Sequence, residues 1–286
     1  MKEDLQQDVI LPFSLNEANI KGKILRLNQT SAELLNRFST NIPEVDKVFL
    51  DSLTLSQLIS SNFKFEGTFK LQLNGDGGII KMILCDNKVN GNMRAYLSLH
   101  EDYTPVKNPS FKDLIGEGVM IFHLYLPLSS KPYQAIVDLN GDSLSDSAYN
   151  WFKQSEQTKS YIKIFSSVEG KSTAGLFLQK IPNQYASEEQ IQAEEEVFNT
   201  LKILSDTLKL DEILNDDLEH VLYKLYNEFE VITYDKLPIS YKCTCSDDVI
   251  KEVISAMSLS EQESIRKENN GEIKISCSFC GKEYSM

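Results

Sequence analysis

Four of the five cysteines lie between residues 243 and 280, as Cys243-Thr244-Cys245, an insert of 31 residues (246–276), and Cys277-Ser278-Phe279-Cys280. Two tight cysteine pairs around a helix-sized insert have the spacing of a four-thiolate zinc site, because zinc takes soft ligands at the corners of a tetrahedron. Each pair supplies two sulfurs from one bend of backbone, and the insert lets the bends face each other. Gly281 follows Cys280 and lets the chain turn back there. Cys243, Cys245, Cys277 and Cys280 are therefore expected to hold one Zn2+. A module of about fifty residues seldom folds without a staple, and zinc contributes about 10–16 kcal/mol to such modules. Metal and fold are expected to stand or fall together.

The insert itself reads as two helices and a strand. Ser246 can cap a helix with Val249, Ile250, Val253, Ile254 and Met257 on one side. Ser260-Glu261-Gln262-Glu263 reads as a capping box for a second helix, which Asn270-Gly271 ends. Ile273, Ile275 and Cys277 then alternate as a strand leading into the second pair.

Zinc modules often bind nucleic acid, and charge argues against that here. The 286 residues carry a net charge of −13. Residues 241–286 hold six Lys/Arg against eight Asp/Glu, and thiolate ligands add more negative charge, so no basic footprint for phosphate is expected. Residues 1–15 carry acids and no long apolar run, so no secretory signal is expected. No stretch reaches a membrane span's apolar length. The implied compartment is the cytoplasm, where clustered thiols stay reduced and hold metal. The remaining cysteine, Cys85, sits in the apolar run Ile79–Cys85 and reads as a buried strand residue, not a reactive thiol.

Residues 1–180 read as an α+β core domain. Ser31–Phe38 and Asp51–Phe63 have helical spacing, with Ser31 able to cap the first. Phe65, Gly67, Phe69, Leu71 and Leu73 alternate as a strand. Gly75-Asp76-Gly77-Gly78 turns the chain, and Ile79–Leu84 returns. Ile20–Leu27, Gly116–Pro127, Tyr133–Leu139, Tyr161–Val168 and Gly175–Gln179 read as further strands, and Ser145–Gln154 as a helix. Hairpins interrupted by helices predict α+β, not a doubly wound sheet. The 75–78 turn lacks the Lys-Ser/Thr of a phosphate loop, and a strand follows it instead of a helix. His100, His123 and His220 stand far apart with no nucleophile or carboxylate motif beside them. The expectation is a protein that is not an enzyme.

The middle of the chain changes character. Residues 187–230 hold 13 Asp/Glu and three Lys/Arg, a net −10. Ser187-Glu188-Glu189-Gln190 is a capping box. Val197, Leu201, Leu204 and Leu208 recur at helical spacing, as do Ile213, Leu214, Leu218, Val221, Leu222, Leu225 and Phe229. This predicts a helical linker over 181–237 with a solvated acidic face and an apolar stripe that needs a partner. Self-repulsion makes its docked state weakly favoured. The last domain is taken as 238–286.

Four thiols allow three disulfide pairings. Bridges within each pair close tiny loops and remove little unfolded-state entropy, so they would discard the long tie that a metal supplies.

The run Tyr241-Lys242-Cys243-Thr244-Cys245-Ser246, with Cys277-Ser278-Phe279-Cys280 after it, resembles the zinc switch of the redox-regulated 33-kDa heat-shock chaperonin family. Gly75-Asp76-Gly77-Gly78, Arg94 with Tyr96, Pro132-Tyr133-Gln134, Ser155-Glu156-Gln157 and Leu178-Gln179-Lys180-Ile181-Pro182 look like that family's landmarks, in order. Ala95 and Ala135 stand where glycine is expected, and Asp247-Asp248 replaces a more basic pair. The resemblance implies an ATP-independent holdase that is inactive when reduced and zinc-bound. It implies that Cys243–Cys245 and Cys277–Cys280 disulfides form under oxidant and unfolding stress, that zinc leaves, and that the linker unfolds. Exposed surface then binds unfolding client proteins, and the active form is similar to a homodimer. The rival readings are a structural zinc ribbon on an interaction protein and a thiol–disulfide oxidoreductase using Cys277 and Cys280. The second is disfavoured because no helix opens at that pair to lower a thiol pKa.

Overall fold

In the computed structural model, which describes residues 7–62, 67–127, 129, 131–155, 159–182, 187–269 and 271–285, two sheets close on one buried helix. The chain divides into two units, Met1–Tyr241 and Lys242–Met286. The first runs β1 (Val9–Leu15), β2 (Ile20–Leu27), α1 (Gln29–Phe38), α2 (Pro43–Ser60), β3 (Thr68–Asn74), β4 (Ile80–Lys88), β5 (Asn92–Leu99), α3 (Phe111–Ile115), β6 (Val119–Tyr125), β7 (Tyr133–Asp138), α4 (Leu144–Ser155), β8 (Ser160–Ser167) and β9 (Ser172–Lys180). It continues through α5 (Glu188–Thr207), α6 (Leu210–Asn215), α7 (Leu218–Leu225), β10 (Val231–Thr233), β11 (Leu237–Pro238) and β12 (Ser240–Tyr241).

One sheet has the order β10-β1-β2-β9-β8, with β11 also on β1; the other has the order β12-β5-β4-β3-β6-β7. Neighbours pair antiparallel except β12, which runs parallel to β5. The α+β expectation is met. Between the sheets lies α2, which packs against β2, β3, β4, β8 and β9. Its polar side chains are buried too, so they must find partners inside. Thr54 meets the Thr173 hydroxyl at 2.7 Å, and Gln57 donates to Asn87 at 2.9 Å. The helix starts eight residues before the expected Asp51, with Pro43 in its first turn; from Val48 to Ser60 every residue is buried, so no polar face marks its course. Phe63 and Phe65 fall outside the described residues.

Two further expectations are corrected. Ser31 does not cap α1. Its hydroxyl donates to the Leu27 and Lys171 carbonyls, and the Asp8 carboxylate takes the Asn28, Gln29 and Thr30 amides instead. A cap supplied from another strand leaves no mark at the local spacing. The apolar run Val9–Leu15, to which no element is assigned from sequence, forms the buried strand β1. Pro12 is tolerated there because β10 covers Phe13–Leu15 and β11 covers Val9 and Ile10. The proline falls in the gap, where no amide is required.

The first sheet is buried on both faces. Ile10, Leu25, Leu27 and Phe177 point toward α2 and the second sheet. Leu11, Phe13, Leu15, Ile20, Ile24, Leu176 and Leu178 point the other way, onto α5–α7. The apolar stripe of the acidic segment therefore has a partner, the outer face of this sheet. Gly22 is required there: a Cβ would lie 2.3 Å from the Phe13 ring, and that ring stacks on Tyr226 at 5.9 Å. The two expected helical runs are parted at Leu208, and the second breaks again at Asp216, both extended.

The second unit comprises α8 (Asp247–Ala256), α9 (Leu259–Glu268), β13 (Lys274–Ser276) and β14 (Glu283–Ser285). Ser246 caps α8 by accepting from the Val249 amide. The capping box of α9 is Ser258 with Glu261, two residues before the expected Ser260. Both serines carry an acid at suitable spacing, and Met257 in extended backbone sets the earlier start. Asn270 falls outside the described residues.

Candidate metal centre and helical cover

Local chemistry shapes the second cysteine bend. β13 and β14 pair antiparallel, and the Cys277 amide donates to the Lys282 carbonyl at 2.9 Å. The Cys280 and Gly281 amides both turn back onto the Cys277 carbonyl. Gly281 has φ +71°, a left-handed conformation that glycine adopts without strain. The first bend, Cys243-Thr244-Cys245, leads directly into the capped start of α8.

The four sulfurs converge. All lie within 4.8 Å of one another, with Cys243 to Cys277 at 3.7 Å and Cys245 to Cys280 at 3.4 Å. None is in a disulfide. They form a group able to hold a metal ion, and it includes the residues the spacing singles out. The sulfurs are also much of the unit's interior, since Ile250, Cys277 and Tyr284 are its buried cluster.

Crowding splits the thiols. Burial works against ionisation at Cys245, yet Tyr284 and the three other thiols pull it down to about 7. Burial pushes Cys280 up to about 12, and its three sulfur neighbours add to the rise. One member of the set thus carries charge first, and a cation among them would relieve the rest. Tyr284 is a residue that spacing alone does not flag. Its hydroxyl is buried, meets no partner at ordinary hydrogen-bond distance among the described residues, and is perturbed first by the Cys245 sulfur. That is where an outer donor to a metal-bound thiolate belongs.

Cys85 is the buried strand residue that the sequence predicts. Cys85 is fully buried, and burial raises its thiol to about 12. His100 contacts the Gly75 carbonyl, and His123 contacts the Gln134 amide. Among the described residues neither meets a nucleophile. No helix of the described residues is long and apolar enough to cross a membrane.

The second functional feature is the cover formed by α5–α7. Phe198, Leu201, Ile213, Leu218, Val221 and Leu222 insert into the outer face of the first sheet. Cations on the sheet grip the ends of the acidic helices. Lys163 donates to the Asp206 carbonyl at 2.8 Å, at the C-terminus of α5. The buried Arg26 donates to the Asp216 carbonyl at 2.9 Å, just past α6. Helix C-termini leave carbonyls unpaired and carry partial negative charge, so a cation there is favourable. Lys180 pairs with Glu194 at 2.7 Å, and Lys159 pairs with Glu195. These basic residues are scattered from 26 to 180, so no motif announces them.

A model of the Hsp33 protein family matches residues 8–286. The "33 kDa chaperonin" of Escherichia coli (strain K12 / DH10B) is 29% identical over 282 residues, spanning 98% of this chain and 92% of the relative. That of Shewanella putrefaciens is 28% identical over 281 residues, spanning 98% and 93%. The crystal structure of the 33 kDa chaperonin from Thermotoga maritima superposes with a TM-score of 0.80 at 20% identity, covering 98% of this chain and 94% of that one, which shows a shared fold. With the family match extending over nearly its whole length, the chain belongs to the Hsp33 family and is a chaperone.

Proposed function

We propose that this chaperone is an ATP-independent holdase switched by oxidation of Cys243, Cys245, Cys277 and Cys280. The observation that carries the reading is the four-sulfur group, which joins two bends across 31 residues in a unit with little apolar core of its own. The donor set fits Zn2+. Four thiolates at about 2.3 Å from a tetrahedral zinc lie roughly 3.8 Å apart, and the closest pairs here are 3.4 and 3.7 Å. Bound zinc would supply the positive charge that keeps all four sulfurs ionised, together with the tie between the bends.

Activation then follows from which bonds the sulfurs make. Cys243 pairs with Cys245, and Cys277 pairs with Cys280. Each pair of thiolates gives up two electrons, and one peroxide takes them with two protons from solvent to become two waters. Sulfurs committed to disulfides no longer coordinate, so the metal is lost, and the short bridges do not span the insert. Proximity alone does not select this pairing, because every edge of a tetrahedron is similar. The family resemblance supports it.

In this reading residues 1–180 bind clients and dimerise, 181–237 form the metastable linker, and 238–286 form the switch. With oxidant and unfolding stress combined, α5–α7 leave the sheet. Leu11, Phe13, Leu15, Ile24, Leu176 and Leu178 then become an apolar surface for unfolding proteins. The activated form is a homodimer, and the setting is the cytoplasm.

The test is light scattering from a heat-unfolding client with reduced and with peroxide-treated protein, following zinc with a chelating dye. Suppression only after treatment, in step with metal release, is expected. Metal retained after peroxide, with no gain in suppression, would leave a structural zinc ribbon. Disulfides joining Cys243 to Cys277 and Cys245 to Cys280 would also sink the switch, because they keep the tie.

A further inference from the structure

We propose that a cavity between the sheet and the acidic cover binds a chain of phosphoryl groups, either inorganic polyphosphate or the phosphates of a nucleotide. The cavity, about 300 Å³, lies among α4, β8 and α5 and is lined by Tyr149, Lys153, Lys159, Ser160, Asn199 and Lys202, with Phe198 also on the wall. Three of these residues are lysines, in a chain whose net charge is −13. Lys202 is the one basic residue in α5, a helix otherwise dominated by glutamates.

The lining is rich in donors. Lys153 and Lys202 pair with no carboxylate among the described residues. Lys159 is shared with Glu195, outside the cavity lining, and that pair is half exposed. Ser160 is 3% exposed, and its buried hydroxyl has no hydrogen-bond partner among the described residues. Ammonium groups and an amide, with no carboxylate among the described lining residues, suit an anion rich in acceptor oxygens. The volume is the space of about ten waters at roughly 30 Å³ each. That is more than a single phosphate fills, and it suits a short phosphoryl chain. Tyr149, 42% exposed, stands where the base of a nucleotide could stack.

The site is complete only while α5 is docked, because α5 brings Lys202, Asn199 and Phe198. Such a ligand would bind the covered state in preference and stabilise it by mass action. If the linker acts as proposed above, the ligand would delay activation, but binding itself is independent of that reading.

The experiment is calorimetric titration of the reduced full-length protein with tripolyphosphate and with ATP at low salt, together with hydrogen exchange of α5. Saturable binding of one ligand, with Kd below about 1 mM, and slower exchange over α5 are expected. Lys153→Ala and Lys202→Ala should each weaken binding by roughly tenfold or more. Lys112→Ala, an equal charge change elsewhere, should leave it unchanged. Equal or tighter binding of tripolyphosphate assigns the site to inorganic chains. Tighter binding of ATP that Tyr149→Ala abolishes assigns it to a nucleotide. Absence of saturable binding, or binding that survives both lysine substitutions with normal circular dichroism, overturns the proposal.

Discussion

Leu222→Ala tests whether α5–α7 are a detachable cover. Leu222 lies in α7, is fully buried, and packs in the cluster that joins the helices to the outer sheet face. Truncating a buried leucine costs about 2–5 kcal/mol, the transfer loss plus the cavity left behind. If the cover opens as a unit, the whole cost falls on the docking equilibrium. At about 1.4 kcal/mol per decade, that is a rise of roughly 30-fold to several-thousand-fold in the open population. Hydrogen exchange of the reduced protein should show this rise over Glu188–Leu225 and leave β3, β4 and β6 unchanged. Light scattering should show suppression of client aggregation without oxidant. Tyr223→Ala, at a side chain 66% exposed on the same helix, should shift neither readout by more than about 0.5 kcal/mol. Exchange accelerating equally in both sheets would mean the helices are an integral layer. Unchanged exchange in α5–α7 would mean Leu222 contributes no docking energy. Either result refutes the reasoning.

Arg26→Met leaves the carbonyls beyond α6 without their buried cation and should cost about 3 kcal/mol or more, read as a fall in thermal midpoint with exchange rising first at α6. Cys280→Ser should abolish stoichiometric metal binding and the circular dichroism signal of α8 and α9 while the first unit's melting stays cooperative. A strong zinc chelator at neutral pH should have the same effect on wild type. Asp217 caps α7 by accepting from the Glu219 and His220 amides, so Asp217→Ala should cost about 1 kcal/mol. Burial opposes its charge, but Lys236 and those amides win and hold its pKa below the usual carboxylate value. A depressed folded pKa means the contribution is complete above the unfolded value, near 3.8, and is lost as pH falls through the folded one. The wild-type and D217A stability curves should therefore run parallel from pH 5 to 8 and converge only in strong acid.

What could be read from sequence is what neighbouring residues decide among themselves. Cys-x-Cys and Cys-x-x-Cys each fix two sulfurs on one bend, so the candidate ligand set is legible before any contact is known. Ser187 with Gln190 and Ser246 with Val249 are contacts within four residues, and both caps stand as read. Two-residue alternation and a hairpin turn likewise placed β3 and β4, because side chains of a strand choose faces locally.

Tertiary structure alone decided the rest, because those interactions join residues with no fixed spacing between them. Asp8 caps a helix that begins 21 positions later. From Val48 to Ser60 α2 is buried on every side, so no polar face marks its course. Tyr284 reaches Cys245 only once β13 and β14 pair. The partner of the acidic segment's apolar stripe could not be named from its own periodicity, since a stripe shows that burial is needed but not against what. It is the sheet of β1, β2 and β9, drawn from both ends of the first unit, that gives those helices a surface to cover.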